Sequence, residues 1–394
     1  MAADLKKEVA AYQEELVRLR RHFHEHPELG YMEYDTARYI EEYMKEIHVP
    51  VTHLRKTGLS ALITGGKPGK TVLLRADMDA LPIKEQTGLP YASQYPGIMH
   101  ACGHDGHIAI QLCVAKYLAA HKEELSGNVK LLFQPNEEEA GALDMIHDGI
   151  LEQPHVDAAF ALHLWSPIKS GRIALSAGPV LGTTEEFELV ITGKTGHTAM
   201  PHEAKDALFG ACQIVNAMQE LISREFNPLW PIAVVFGKLA AGSARNIICG
   251  EVSLGGTIRF LFPDEKEMKP KVLGAFERIV KGVCDTYELD YQLEFIPSNP
   301  SLINDAHLIE LVRENAKAVY DKEDCIDDFK SLAGEDFAEI SQRVPSVMSF
   351  VGINNPVTNS TYPHHHEKFT IDEQALLWGM ELQIRNVYQY LSSE

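Results

Sequence analysis

Eight residues, His100-Ala101-Cys102-Gly103-His104-Asp105-Gly106-His107, hold three imidazoles, a thiol and a carboxylate. Neutral His, thiolate Cys and carboxylate are the side chains that bind zinc-like divalent ions. A surface loop gains nothing from such a cluster, and a core would have to satisfy every polar atom in it. Three chemistries compete for it. A structural zinc site would take four Cys/His ligands in two paired clusters, and no second pair is present. Thiol catalysis would need Cys102 activated by a base such as His104, and side chains two residues apart rarely face each other. A metal site with open coordination demands least of these residues.

Residues of matching type recur along the chain. Glu137-Glu138-Glu139 is either a solvated charge run or a pair at work, one carboxylate binding metal while its neighbour shuttles a proton. His163 ends an apolar run and is either a satisfied core histidine or a ligand. His364-His365-His366 precedes Phe369, and one of the three would complete a coordination sphere. Gly193-Lys194-Thr195-Gly196-His197-Thr198-Ala199-Met200-Pro201-His202 is a Gly-bearing turn with two histidines, a plain loop on the bland view. Asn246 and Arg259 fall at a strand approach and a strand end. Arg259 matters more if the substrate is a carboxylate, which a planar guanidinium binds bidentately.

The elements that must position these residues can be read from periodicity. Leu5, Val9, Tyr12, Leu16, Leu19 and Phe23 recur at helical spacing, predicting an amphipathic helix over 4–25 that Pro27 ends. A second helix is expected over 34–47. Apolar runs at 71–76, 129–133 and 158–162 predict buried strands, with helices near 106–121 and 141–151 between them. Strands alternating with helices imply a mainly parallel sheet. The three strands run into Arg75-Ala76-Asp77, Gln134-Pro135-Asn136-Glu137-Glu138-Glu139 and His163. Ligands in open α/β sheets bind beyond the carboxyl ends of strands. Three strands delivering Asp, Glu-Glu and His to that edge say more than any one motif.

Residues 166–184, rich in Gly, Pro and Ser, are expected to be a linker. Beyond it the pattern predicts strands near 186–193, 231–240, 251–260 and 289–296, with helices near 203–224 and 264–284. This β-α-β-β-α-β order suggests an inserted two-layer α+β domain. Helices near 304–320 and 372–392 and a strand near 346–351 rejoin the first domain. The expected architecture is α/β: a catalytic domain of 1–182 and 300–394, its mainly parallel sheet flanked by helices, and an inserted domain of 183–299. No repeats or low-complexity tracts appear.

Bulk properties bound the partners. At 394 residues the chain exceeds the roughly 250–300 at which a single core stops growing. Lys and Arg number 36 against 56 Asp and Glu, a net charge of −20. That balance argues against nucleic acid or an anionic membrane as partner. No apolar run reaches the roughly 18 residues of a membrane span, and no signal peptide is evident at the start. Six scattered cysteines without paired spacing fit reduced thiols, so a cytoplasmic protein is expected.

The residues also resemble a family, the cytosolic metallo-amidohydrolases that include bacterial N-acyl-L-amino acid amidohydrolases (aminoacylases), hippurate hydrolase and plant indoleacetyl-amino acid hydrolases. The matching stretches are Arg20-Arg21-His22-Phe23-His24-Glu25-His26-Pro27-Glu28, Arg75-Ala76-Asp77-Met78-Asp79-Ala80-Leu81-Pro82, 99–107, 133–138, Gly196-His197 and Gly334-Glu335-Asp336-Phe337. They occur in order over nearly the whole chain and are together very specific. The resemblance implies a two-metal catalytic domain and an inserted lid that also forms a homodimer, or a dimer-based tetramer. It implies Cys102, His104, Glu138, His163 and His365 as ligands of two divalent ions (zinc, manganese, cobalt or nickel). His365 follows from the family's ligand lying four residues before the Phe, here Phe369. Glu137 resembles the general base, and Asp77 the carboxylate that orients a ligand from behind. His197 resembles a lid histidine that reaches a neighbouring subunit's site, and Asn246 and Arg259 resemble residues that hold the substrate carboxylate. Two departures narrow the match. Distant relatives carry His-x-Asp where this chain has Arg75-Ala76-Asp77, with Cys102 supplying a ligand instead. The family's Gln-Pro-Ala-Glu-Glu-Gly is here Gln134-Pro135-Asn136-Glu137-Glu138-Glu139, and Pro135 favours Glu137 and Glu138 for the two roles. The implied reaction is hydrolysis of an N-acyl (acetyl-like or aromatic) L-amino acid. The same chemistry on a substrate with a free α-amine would make a dipeptidase or carboxypeptidase.

Overall fold

The computed structural model describes residues 2–393; Met1 and Glu394, the outer ends of the expected catalytic segments, lie outside the described residues. The chain divides into two compact units. One comprises residues 2–178, Ile303–Phe329 and 335–393, the other Pro179–Leu302 with Lys330–Gly334.

In the first unit, apolar runs such as Val72-Leu73-Leu74 leave no polar face to turn to water, so their strands must be covered on both sides. They form the centre of an eight-stranded sheet. Its order is Val51–His53, Leu59–Thr64, Ser126–Gln134, Lys67–Asp77, Ala158–Lys169, Ser346–Asn354, Ile173–Ala174, Cys325–Ile326. Lys67–Asp77 runs parallel to both of its neighbours, and Ala158–Lys169 runs parallel to Ser346–Asn354. The sheet is therefore mainly parallel; Val51–His53, Leu59–Thr64 and Ile173–Ala174 make its antiparallel pairings. The helix His104–Ala120 is buried on nearly all sides, between the sheet and the helices Gln13–Glu25 and Gln374–Ser392. Its sequence is correspondingly apolar all round.

The second unit is a four-stranded antiparallel sheet ordered Ile232–Ala241, Glu251–Phe260, Thr183–Thr192, Asp290–Pro297. Phe187, Leu189 and Ile191 project at period two into a core shared with Ala211 and Ile214 of the helix Ala207–Ala217 and with Phe276 and Val280 of the helix Glu265–Tyr287. Val235 and Leu239, on the edge strand, are exposed.

Two local expectations are corrected, and one strand is unforeseen. The helix over 4–25 is two helices, Ala2–Ala10 and Gln13–Glu25, because the amides of Ala11 and Tyr12 take i→i−3 bonds that break the α ladder. Leu59–Thr64 is a strand whose alternate residues are buried, a period-two signal overshadowed by the longer apolar runs. The expected linker over 166–184 is mostly strand: Ala158–Lys169 runs on past Pro167, and Gly178–Leu181 and Thr183–Thr192 follow. Composition suggests flexibility there, but ladder partners are available at each strand.

Candidate active site

Register brings the chemistry to one edge. Asp77 pairs with Gln134, and Arg75 with Ala161, so His163 lies level with Asp77 at the carboxyl ends of adjacent parallel strands. Glu137 and Glu138 follow immediately in a short turn, entered through Asn136 with φ 58° and left through Ala140 with φ 61°. Gly103 sits at φ 102°, a left-handed conformation open to glycine, and so turns Cys102 and the helix start at His104 toward the same edge.

Among the described residues five groups of possible ligand atoms form, the atoms of each lying within 4.8 Å of one another: Cys102 with His104 and His163; Cys102 with Glu138 and His365; His104 with Glu137 and Glu138; Asp77 with His104 and His107; and Glu137 with Glu335 and Asp336. The surroundings aim them. His104 Nδ1–H donates to the Asp79 carbonyl at 2.9 Å, leaving Nε2 as a lone pair. His163 Nδ1–H donates to the Leu164 carbonyl at 3.0 Å, leaving its Nε2 facing Cys102 Sγ at 3.6 Å. The Glu138 amide donates to Asp79 at 3.1 Å, while Glu138 Oε1 lies 3.3 Å from His365 Nε2. Of the three consecutive histidines, His364 spends both nitrogens on Ser166 and Leu164, and His366 accepts from the Lys368 amide. His365 alone turns to the cluster, its amide bound to the Ala101 carbonyl and its φ at 63°.

His107 and His100 behave differently. His107 accepts from the Leu164 amide at 2.9 Å and donates to Asp77 at 2.6 Å, so both its nitrogens are used. His100 is buried beside the site and belongs to none of the ligand groups. Asp77 also binds Arg75, whose guanidinium reaches Gln134, Glu335 and Asp336. The sequence signal for this second layer is the cluster of motifs itself: Asp79 two residues past Asp77, and Glu335-Asp336 in a matching stretch given no role.

Electrostatics follows from this packing. Burial alone would raise the Asp77 carboxyl, but His104, His107 and Arg75 outweigh it and hold it well below the usual range. Glu137 moves the other way: burial, then Glu335, Glu138 and Asp336, push it well above an ordinary carboxylate. Burial, then His107 and His364, keeps His163 neutral, the form that ligates a metal. Burial and then Glu138 push the Cys102 thiol up, opposite to what an activated nucleophile needs. Among the described residues His104 Nε2 is buried without a hydrogen-bond partner, and Glu138 Oε1, also buried, has only the His365 ring nitrogen near it and no hydrogen bond. Buried acceptors left so cost about 1–3 kcal/mol each, and a divalent cation between S, N and O donors would relieve that cost. The residues present therefore fit such an ion.

The remaining predicted residues lie in the second unit. The His197 backbone pairs with Ile247, and the Thr198 amide reaches the Asn246 carbonyl, so His197 and Asn246 are neighbours. Arg259 lies on the four-stranded sheet, opposite Thr184 and near the far end of the strand that follows the two-stranded ribbon of His197 and Ile247, with Nη1 donating to the Leu332 carbonyl at 3.0 Å. The strand Glu251–Phe260 separates the two ends by about 25 Å at roughly 3.3 Å per residue. One copy of this unit does not bring Asn246 and Arg259 to the same small ligand.

Comparison with known proteins agrees with this chemistry. The chain is 38% identical over 372 residues to an N-acetyl-L-cysteine deacetylase of Bacillus subtilis, covering 94% of this chain and 86% of the relative. It is 35% identical over 381 residues to thermostable carboxypeptidase 1 of Saccharolobus solfataricus, covering 95% of each. The crystal structure of the Bacillus subtilis YXEP protein, described as a dinuclear metal binding peptidase, superposes with a TM-score of 0.85 at 31% identity, over 98% of this chain and 99% of that one. With residues 73–386 matching the model of peptidase family M20/M25/M40, the chain belongs to that family and is a hydrolase of amide bonds.

Proposed function

We propose that the protein hydrolyses the amide bond of N-acyl L-amino acids, releasing a carboxylate and a free amino acid. The observation that carries the reading is the convergence of Cys102, His104, Glu138, His163 and His365, with His104 Nε2 buried and without a hydrogen bond among the described residues and the carboxylate of Glu137 beside them. Two divalent ions held by those five residues (zinc, manganese, cobalt or nickel) would supply the positive charge that acidifies a water and polarises the amide carbonyl. Glu137 takes the proton of the attacking water as the new C–O bond forms. It then delivers that proton to the departing nitrogen as the C–N bond breaks. Burial and the neighbouring acids raise its affinity for protons, the direction that favours a carboxylate taking a proton and then giving it up. Asp77, held ionised, orients its histidine neighbours. Arg259 binds the substrate carboxylate, a local cation in a chain of net charge −20. The second unit serves as lid and dimerisation surface. His197 and Asn246 act on the site of a partner copy, which the distance between them and Arg259 supports, and His197 stabilises the oxyanion.

The deacetylase relative supports an acyl amino acid as substrate. The six unpaired cysteines support a cytoplasmic setting. Glu137→Gln is expected to keep its metal, measured by elemental analysis, and to lose nearly all turnover of a panel of N-acetyl-L-amino acids. Retained turnover would remove Glu137 from the role of base. Mixed dimers of Glu137→Gln and His197→Ala chains should regain part of the activity each lacks alone, because one of the two sites is then intact; an oxyanion donor is worth roughly 10²–10³ in rate. No recovery in chains that demonstrably exchange subunits would count against a site shared between subunits.

A further inference from the structure

Glu33 is fully buried in the first unit, and the chemistry derived above gives it no part. It stands just before the helix Tyr34–Glu46 but does not cap it. The amides of Asp35 and Thr36 are taken by Glu28 instead. The Glu33 carboxylate points the other way. Oε2 accepts the hydroxyl of Thr57, and Oε1 accepts the backbone amide of Asn136 at 3.0 Å. Asn136 is the residue immediately before Glu137, in a left-handed conformation that a non-glycine residue keeps only when its surroundings hold it. The next peptide but one is gripped as well, since the Glu138 amide donates to Asp79. The backbone carrying Glu137 is thus clamped on each side by a buried carboxylate. Gly30 closes the clamp from outside: a Cβ there would overlap Asn136 Oδ1 and approach the Asn136 Cα to 3.2 Å.

We propose that Glu33 is a positioning residue for the reaction, holding the Asn136 amide so that the Glu137 carboxylate stays at the reacting atoms. The inference rests on the reading of Glu137 as base. Misplacing a catalytic group by about 1 Å costs roughly 10²-fold in rate, whereas the metal ligands and Arg259 are held by other contacts. Loss of the clamp should therefore appear in kcat and not in KM or metal content.

The test compares Glu33→Ala and Glu33→Gln with wild type on a panel of N-acetyl-L-amino acids, alongside elemental analysis and thermal melting. Glu33→Ala should lower kcat by roughly 10²-fold with KM and metal content near wild type. Glu33→Gln keeps an oxygen for the Asn136 amide and should restore most of kcat. A folded Glu33→Ala enzyme with wild-type kcat overturns the proposal. So does a kcat loss matched by metal loss, or a Gln variant as impaired as the Ala one. If Glu33→Ala does not fold, Gly30→Ala displaces the same turn from outside. Its kcat should fall and should recover in Gly30→Ala/Asn136→Gly, which tolerates the left-handed backbone and lacks the clashing side chain; no recovery counts against the clamp. Glu137→Gln separates the two ideas. If it turns over normally the base assignment fails, and if it is dead while Glu33→Ala is unimpaired only the clamp fails.

Discussion

Lys130 and Arg75 are buried cations of the same unit with different employment. Arg75 is surrounded by Asp77, Glu335 and Asp336, so its charge is matched by carboxylates and serves the site. Among the described residues Lys130 donates to carbonyls and to no carboxylate. Its ammonium donates to the carbonyls of Ile150 at 2.9 Å, Glu152 at 2.5 Å and Pro154 at 2.9 Å, closing the loop before the strand that carries His163. Lys130→Met keeps the length of the side chain and removes all three donors. Some of these carbonyls can turn to water, so the loss is expected at about 2–3 kcal/mol, read as a lower midpoint in denaturant unfolding. The kcat of the folded variant should stay near wild type, because the loop lies at the far end of its strand from the ligands.

At the scale of elements, the helix His104–Ala120 joins packing to chemistry. Its first turn carries His104, Asp105 and His107. Asp105 sits at the positive end of the helix dipole, bound to the buried Arg20 and His24. Gly106 is the point of closest approach: a Cβ there would overlap Leu164 Cδ1 and come within 3.2 Å of Leu376 Cδ2 and 3.3 Å of Ile371 Cδ1. Alanine within a helix ordinarily gains about 1 kcal/mol over glycine, but overpacking costs about 1–3 kcal/mol. Gly106→Ala is therefore expected to lower the melting temperature. Leu164 also anchors His107 through its amide and His163 and His364 through its carbonyl, so the same variant should bind metal more weakly in a titration. A helix that tolerated the methyl with unchanged metal affinity would show that Leu164 can move without disturbing the site.

For the whole molecule the balance of charge is the controlling feature. The −20 net charge is spread over the chain, but Asp77, Glu137, Glu335 and Asp336 bring four carboxylates together around one buried arginine, Arg75, and Glu138 lies beside Glu137. Bound cations would offset that repulsion and stabilise only the folded state, by about 3–4 kcal/mol when present at 10²–10³ times their dissociation constant. Chelation is expected to lower the melting temperature. Because all five predicted ligands belong to the first compact unit, calorimetry should show its transition move while that of the second stays in place. A melting profile indifferent to chelator and to added zinc or manganese would remove the metal centre from the stability of the fold.

The sequence by itself determined the chemistry on offer and much of the scaffold. Residue types name their own ligands and bases, and apolar runs such as Val72-Leu73-Leu74 can be buried only as central strands. It also determined the family, because the matching stretches are specific in both content and order. The resemblance pointed to His365 among the three consecutive histidines, but only the tertiary structure shows what holds His364 away from the cluster, its bonds to Ser166 and Leu164. It also decided that His107 serves Asp77 rather than standing among the five, that Glu33 reaches Asn136 across 103 residues of chain, and that Asn246 enters a two-stranded ribbon with His197 while Arg259 lies near the far end of the strand that follows. The physical reason is common to all of these. Periodicity and residue type report on local geometry and solvent preference, whereas the direction of a buried polar side chain is set by donors and acceptors that arrive from distant segments once the core has closed.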